Sequence, residues 1–309
     1  MIVLDQDDVE FIRAVRSEVT DCDIKINEPL NTYTSLQIGG PCDYFFVPHT
    51  RDALSRLLKL CAKYKIDTFV LGNGSNLLVT DKGFRGAVIQ IYKNFSQVRI
   101  EGNKVVAEAG ILLSALANIA AKNELTGLEF ASGIPGTLGG AVYMNAGAYG
   151  GEMKQVVSHV VAMNRQGEEV VFDAKALDFG YRQSGLQKDQ FLALEVELML
   201  KQGQIEAIKE QMKDLNARRK EKQPLELPSA GSTFKRPDGY YAGKLIMDAG
   251  LSGYRIGEAQ VSEKHCGFVV NTGNATFDDV FSLITYIQEK VLEQFGVTLE
   301  REIKIIGER

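Results

Sequence analysis

Residues 131–152 read ASGIPGTLGGAVYMNAGAYGGE, in which Gly133, Gly136, Gly139, Gly140, Gly147, Gly150 and Gly151 surround one short apolar run. Glycine loses more conformational freedom on folding than any other residue, so this density needs a reason. Either the backbone turns through conformations closed to other residues, or another group approaches the main chain so closely that side chains would be in the way. A loop and a phosphate bed both satisfy this pattern.

At 309 residues the chain can bury a large core, and its size favours two or three domains over one. A hydrophobic fraction of 45% and a charged fraction of 24% are those of an ordinary globular protein, not a disordered one. The net charge of -5 argues against general binding to nucleic acid or to an anionic membrane, both of which need a basic surface. A local basic pocket for one anionic small molecule stays compatible with it. The N-terminal stretch MIVLDQDDVEFIRAVRSEV reads as an amphipathic helix with early acids, unlike a signal peptide. No window is apolar for long enough to span a bilayer, and a cytoplasmic, monomeric protein is expected. Cys22, Cys42, Cys61 and Cys266 form no CxxC pair, and His49, His159 and His265 show no HxxxH spacing, so neither a metal site nor a disulfide framework is expected.

CDYFFVP (42–48) predicts a strand, RDALSRLLKLCAKY (51–64) a helix and DTFVLG (67–72) a second strand, a βαβ-like unit. The stretch from Gly86 to Gly110 predicts three short strands with a hairpin at EGNK. A helix at 112–123 and a second hairpin at NRQGE follow. In FLALEVELML, residues Leu192, Leu194, Val196, Leu198 and Leu200 fall on one face, which should be core. Composition shifts near residue 201, where Ile205, Ile208, Met212 and Leu215 line one helical face. A helix around 278–296 and a last strand at EREIKIIG complete the pattern. The expected domains are 1–85 and 86–201 as two lobes and 202–309 as a third unit, with the last strand able to return to the lobes' site. The basic run Arg218, Arg219, Lys220 and Lys222 reads first as a solvated helix end, favoured there by the helix dipole.

LGNGSNLLV (71–79) has the form of a phosphate-binding turn, because Gly72 and Gly74 free the backbone N–H groups and Ser75 and Asn76 add donors. It lacks the third glycine of the dinucleotide fingerprint, and no GxxxxGK[ST] occurs, so a standard Rossmann dehydrogenase and a P-loop nucleotidase both lose support. With NTYTSLQIGGP (31–41) and the 131–152 segment, the chain has three polar glycine turns that suit a long ligand with a diphosphate and several rings. A plain turn remains the alternative for each.

These segments, together with FGYRQS, PSAGSTFKRP, the run from Ala242 to Asn271 and EREIKIIGE, give a sequence that resembles the UDP-N-acetylenolpyruvoylglucosamine reductases through nearly its whole length. The resemblance implies an α+β fold: a two-lobed FAD-binding domain of the vanillyl-alcohol-oxidase type, then an α+β substrate domain. It implies that NADPH reduces bound FAD, which then reduces UDP-N-acetylglucosamine enolpyruvate to UDP-N-acetylmuramate in peptidoglycan precursor synthesis. FAD contacts carried over are Tyr33, Thr34, Ile38, Gly39 and Gly40 in the first turn and Leu71, Gly72, Asn73, Gly74, Ser75, Asn76 and Leu77 in the second. The third contributes Ser132, Gly133, Pro135, Gly136, Gly139, Gly140, Asn145 and Gly147, with a helix starting near Ala141. No histidine lies in these motifs, as suits FAD held without a covalent link.

The family's catalytic positions fall on Arg182, Ser232 and Glu302. An arginine fork can hold and polarise a carboxylate. Ser232 would protonate the carbon next to the one that receives hydride, and Glu302 would sit beside the substrate carboxylate, where a second negative charge and desolvation favour its protonated form. Taken without the resemblance, these three read as a surface arginine, a turn serine and a solvated strand carboxylate. The direct path from GYRQSGLQKDQ into the next strand matches the shorter form of the family, which lacks an extra substrate-channel loop. Tyr149 is the expected replacement contact and Lys235 a further substrate contact. Lys304 stands where arginine is common in the family. Two other readings stay open: an FAD oxidase of the same broad fold, and a non-catalytic nucleotide-sugar binding protein.

Overall fold

The computed structural model describes residues 6–308, which fold as two compact units. Unit 1 holds the chain up to Asn27, then Tyr44–Asn73 and Gly86–Ala217. Unit 2 holds Glu28–Asp43, Gly74–Arg85 and the chain from Arg218 onward.

In unit 1 the helix Gln6–Glu18 buries Phe11, Ile12 and Val15. The helix Arg51–Lys63 starts at Thr50, whose side chain accepts from the Ala53 N–H, and it turns Leu54, Leu57, Leu58 and Cys61 into the core at helical spacing. The strand, helix and strand expected at 42–72 are all present. The two strands are not neighbours, however, because Phe84–Gln90 lies between Pro41–Pro48 and Thr68–Leu71 in the sheet. Thr68–Leu71 runs parallel to Phe84–Gln90, with Thr68 opposite Ala87.

A five-stranded antiparallel sheet follows, in the order Glu169–Asp173, Val157–Met163, Leu192–Met199, Lys104–Glu108 and Val98–Glu101. The alternation read from 191–200 is its core face: Leu192, Leu194, Val196, Leu198 and Leu200 are buried, while Met199 is 49% exposed. Both predicted hairpins form. Glu101 pairs with Lys104 across Gly102 and Asn103, and Gly167 takes a φ of 75° in the turn at 164–168.

The division of the chain differs from the three segments expected. Lys201–Gln202 pairs with Leu125–Thr126, and the helix Ile205–Lys222 buries Ile208 and Met212 in the unit 1 core. The chain therefore leaves unit 1 after Ala217 and not near 201. Nor does the core break near residue 85, since Leu54 and Leu57 share one cluster with Leu113, Leu138 and Leu194.

Unit 2 is built on a four-stranded antiparallel sheet, ordered Ser229–Ser232, Phe268–Asn271, Ala259–Val261 and Arg255–Ile256. The helix Phe277–Phe295 is set by a capping box between Thr276 and Asp279 and ends at Gly296, whose φ is 67°. It buries Phe277, Val280, Leu283, Ile284, Ile287 and Val291, and the same core takes in Leu36, Ile38 and Leu78 from the two early segments. The last strand, Lys304–Ile306, pairs parallel with Leu77–Val79 in the same core. It is shorter than the 300–307 expected, because residues 300–303 face another partner, described below.

Candidate active site

The expected site residues fall into two sets. In unit 1, Leu71, Gly72 and Asn73 meet the glycine-rich segment. A Cβ on Gly72 would lie 2.5 Å from Thr137 Oγ1, and Asn73 Nδ2 donates to the Pro135 carbonyl at 2.6 Å. Thr137 also caps the short helix Leu138–Tyr143, accepting from the Gly140 N–H. That helix starts at Leu138, three residues before the Ala141 expected, and the signal for it is the threonine cap. Gly139 packs against the preceding sheet, where a Cβ would sit 2.9 Å from that of Ala109 and its N–H donates to the Ala109 carbonyl at 2.7 Å. Close approach within the protein is therefore the reason for this glycine. Ser132 is buried and accepts from Asn216 Nδ2 at 3.2 Å, and Gly147 pairs opposite Glu152.

Asn145 is 2% exposed and fully engaged inside unit 1. Its Nδ2 donates to Glu152 Oε2 at 2.8 Å and to the Gly180 carbonyl at 2.9 Å, and its Oδ1 accepts from the Lys154 N–H at 3.0 Å. Gly180 and Gln183 exchange backbone hydrogen bonds, which makes Tyr181 and Arg182 the tip of a two-residue turn. Arg182 is half-buried with a φ of 56°, its guanidinium 5.2 Å from the Tyr181 ring centre. Gln187, which sequence reasoning missed, holds the turn from below: its Nε2 donates to the carbonyls of Tyr143 at 2.7 Å and Arg182 at 3.2 Å. Tyr149, at the tip of the turn between Gly147 and Gly151, is 46% exposed.

In unit 2 the first turn and the second are packed together. A Cβ on Gly74 would lie 1.9 Å from the Tyr33 carbonyl oxygen, and its φ of 60° is itself left-handed, so only glycine fits. Ser35 N–H donates to the Gly74 carbonyl at 3.1 Å, and Ser35 Oγ donates to the Ser229 carbonyl at 2.6 Å. Thr34 is buried and donates to the Ile38 carbonyl at 3.0 Å. Gly39 lies against Val79, Gly40 N–H donates to the Thr80 carbonyl at 2.8 Å, and Leu77 pairs with Lys304.

Ser232 and Glu302 come together in the same unit. Glu302 N–H donates to the Thr233 carbonyl at 2.9 Å, Lys235 N–H donates to the Glu300 carbonyl at 2.8 Å, and Phe234 is bridged antiparallel to Arg301. Residue 302 is thereby opposite Thr233, one position along from Ser232. Lys235 Nζ is paired with Glu300 Oε1. Thr233, also missed from sequence, is 3% exposed and accepts the Val269 N–H on its Oγ1 at 3.1 Å.

The donor set fits an anionic cofactor. Among the described residues of unit 2, the backbone N–H groups of Gly74, Ser75 and Asn76 have no hydrogen-bond acceptor, a short run of successive main-chain donors suited to an anion. No group of three His, Cys, Asp or Glu among the described residues is placed to hold a metal ion. Burial pushes the thiols of Cys22, Cys42 and Cys61 up to about 12, so none is a ready nucleophile near neutral pH. No described helix is long and apolar enough to cross a membrane.

Comparison with known proteins matches two stretches of the chain to families. Residues 42–173 match a family described as an FAD binding domain, and residues 223–306 match the C-terminal domain of UDP-N-acetylenolpyruvoylglucosamine reductase. The UDP-N-acetylenolpyruvoylglucosamine reductase of Caldanaerobacter subterraneus subsp. tengcongensis is 56% identical over 92% of this chain and 94% of its own. The crystal structure of the Thermus caldophilus reductase superposes with a TM-score of 0.80 at 37% identity, covering 93% of this chain and 99% of that one. Phl p 4.0202, a glucose dehydrogenase, shares the fold over 63% of this chain and 44% of its own, with a TM-score of 0.50 at 13% identity. The α+β class and the FAD-binding architecture of the vanillyl-alcohol-oxidase type are borne out, and the chain belongs to the UDP-N-acetylenolpyruvoylglucosamine reductase family.

Proposed function

We propose that the chain is the NADPH-dependent flavoenzyme that reduces UDP-N-acetylglucosamine enolpyruvate to UDP-N-acetylmuramate, acting on small molecules in the cytoplasm. The observation that carries this reading is the match of both parts, an FAD binding domain at 42–173 and the reductase's C-terminal domain at 223–306, on one chain. When bound, FAD would supply the hydride-transfer chemistry that side chains lack, between NADPH and the vinyl carbon of the substrate.

The residues around it have four tasks. The turns at 31–41, 71–77 and 132–147 would hold the cofactor through main-chain donors, the run from Gly74 to Asn76 serving the diphosphate. Hydride addition leaves negative charge spread onto the substrate carboxylate, which needs fixed positive or donor groups. Arg182 supplies the fork, on a turn whose backbone is tied by Asn145 and Gln187. Glu302, protonated beside that carboxylate, donates a hydrogen bond to the developing enolate. Ser232 donates the proton to the neighbouring carbon, a role supported by its place next to Thr233, whose carbonyl accepts the Glu302 N–H. Lys235 and Tyr149 contact the nucleotide sugar.

The test is an assay of NADPH oxidation by the purified flavoprotein. Oxidation that depends strictly on UDP-N-acetylglucosamine enolpyruvate is expected. Oxygen consumption with a sugar or small alcohol, and no response to the enolpyruvyl compound, would favour the oxidase reading instead.

A further inference from the structure

We propose that Asn76, expected as a cofactor contact, is a positioning residue for Glu302; the inference rests on the role given to Glu302 above. Asn76 Nδ2 donates to the Glu302 carbonyl at 3.2 Å, and the Asn76 carbonyl accepts from the Lys304 N–H at 3.0 Å. On the other side the Thr233 carbonyl accepts from the Glu302 N–H at 2.9 Å. Both main-chain polar groups of Glu302 are thus occupied, one by the turn at 71–77 and one by the segment that carries Ser232. Immediately beyond, Lys304–Ile306 locks in register with Leu77–Val79.

The arrangement fixes the backbone of Glu302 on two sides, and its side chain is carried from that fixed Cα. A group that donates to a developing charge must be held to within a fraction of an ångström, and loops do this only when their backbone is tied down. An asparagine is suited to the tie because its short side chain ends in a donor and reaches a carbonyl. An aspartate of the same shape would face that carbonyl with acceptors alone. Gly74, Ser75 and Asn76 share one turn, so ordering of that turn is passed to Glu302 through a single hydrogen bond.

The experiment compares Asn76→Ala and Asn76→Asp with wild type in separate half-reactions, and combines Asn76→Ala with Glu302→Gln. Loss of one neutral hydrogen bond predicts that reoxidation of the reduced flavin by the enolpyruvyl substrate slows about three- to tenfold, with a smaller change in flavin reduction by NADPH. In the Glu302→Gln background the same Asn76→Ala change should slow reoxidation less than it does in wild type, because the tie to the main-chain carbonyl remains but the carboxyl it positions is gone. Amide hydrogen exchange at Lys304 should quicken in both single variants. Equal slowing of both half-reactions with weakened FAD binding would make the Asn76 side chain a cofactor contact and overturn the proposal, as would effects that multiply in the double variant. Wild-type protein that is never reoxidised by the enolpyruvyl substrate would instead refute the proposed function, while the exchange result would still report on the tie itself.

Discussion

The glycine-rich segment of unit 1 and the Ser232–Glu302 pair of unit 2 both carry expected site residues, yet they are ordered by opposite means. The first is shaped by exclusion: Gly139 sits where a Cβ would meet that of Ala109 at 2.9 Å, and Gly72 where one would meet Thr137 at 2.5 Å. The second is shaped by attachment, through the bonds that reach Glu302 from Thr233 and Asn76. Added atoms should damage the first, and lost polar atoms the second. Stability and catalysis should therefore respond to different substitutions.

The largest effect should come from Ser232→Ala. Flavin reduction by NADPH is expected to survive, while reoxidation by the enolpyruvyl substrate slows by about two to four orders of magnitude, the usual worth of a general acid. Equal loss in both half-reactions would remove its role as proton donor. Glu302→Gln keeps the shape of the side chain and a donor but cannot titrate, so the pH–rate profile should lose the limb due to this carboxyl. A variant near wild type in rate and profile would remove the need for an acidic group there.

The opposite region should answer in stability. Gly139→Val forces atoms against Ala109, so a loss of about 1–3 kcal/mol and weaker FAD binding are expected from thermal melts and flavin titration. Normal FAD binding by this variant would count against the segment as a cofactor bed. The smallest change is Thr276→Ala, which removes the cap of the helix Phe277–Phe295 far along the chain from both motifs. A loss of about 1 kcal/mol in urea unfolding is expected, with both half-reactions retained.

Much of the fold was legible because short-range pattern decides it. The period-two run at 191–200 named its own core face, and both hairpins followed from turn residues between alternating strands. The boundary near 201 was misplaced because a change from strand to polar helix resembles a domain end, whereas Ile208 and Met212 are claimed by a core whose other members lie far away in sequence. Five crossings of the chain between two units leave no compositional trace. The site divides in the same way. Glycine turns and the resemblance pointed to Gly74, Ser232 and Glu302. The side-chain amides of Asn76, Asn145 and Gln187 take their meaning from carbonyls that only the fold brings near.

One measurement bears most directly on the function assigned to these two regions. In an anaerobic titration of the wild-type flavoprotein, NADPH should bleach the flavin absorbance, and one equivalent of UDP-N-acetylglucosamine enolpyruvate should then restore it with formation of UDP-N-acetylmuramate. A flavin that stays reduced in the presence of that substrate, and recovers only when oxygen is admitted, would contradict the account.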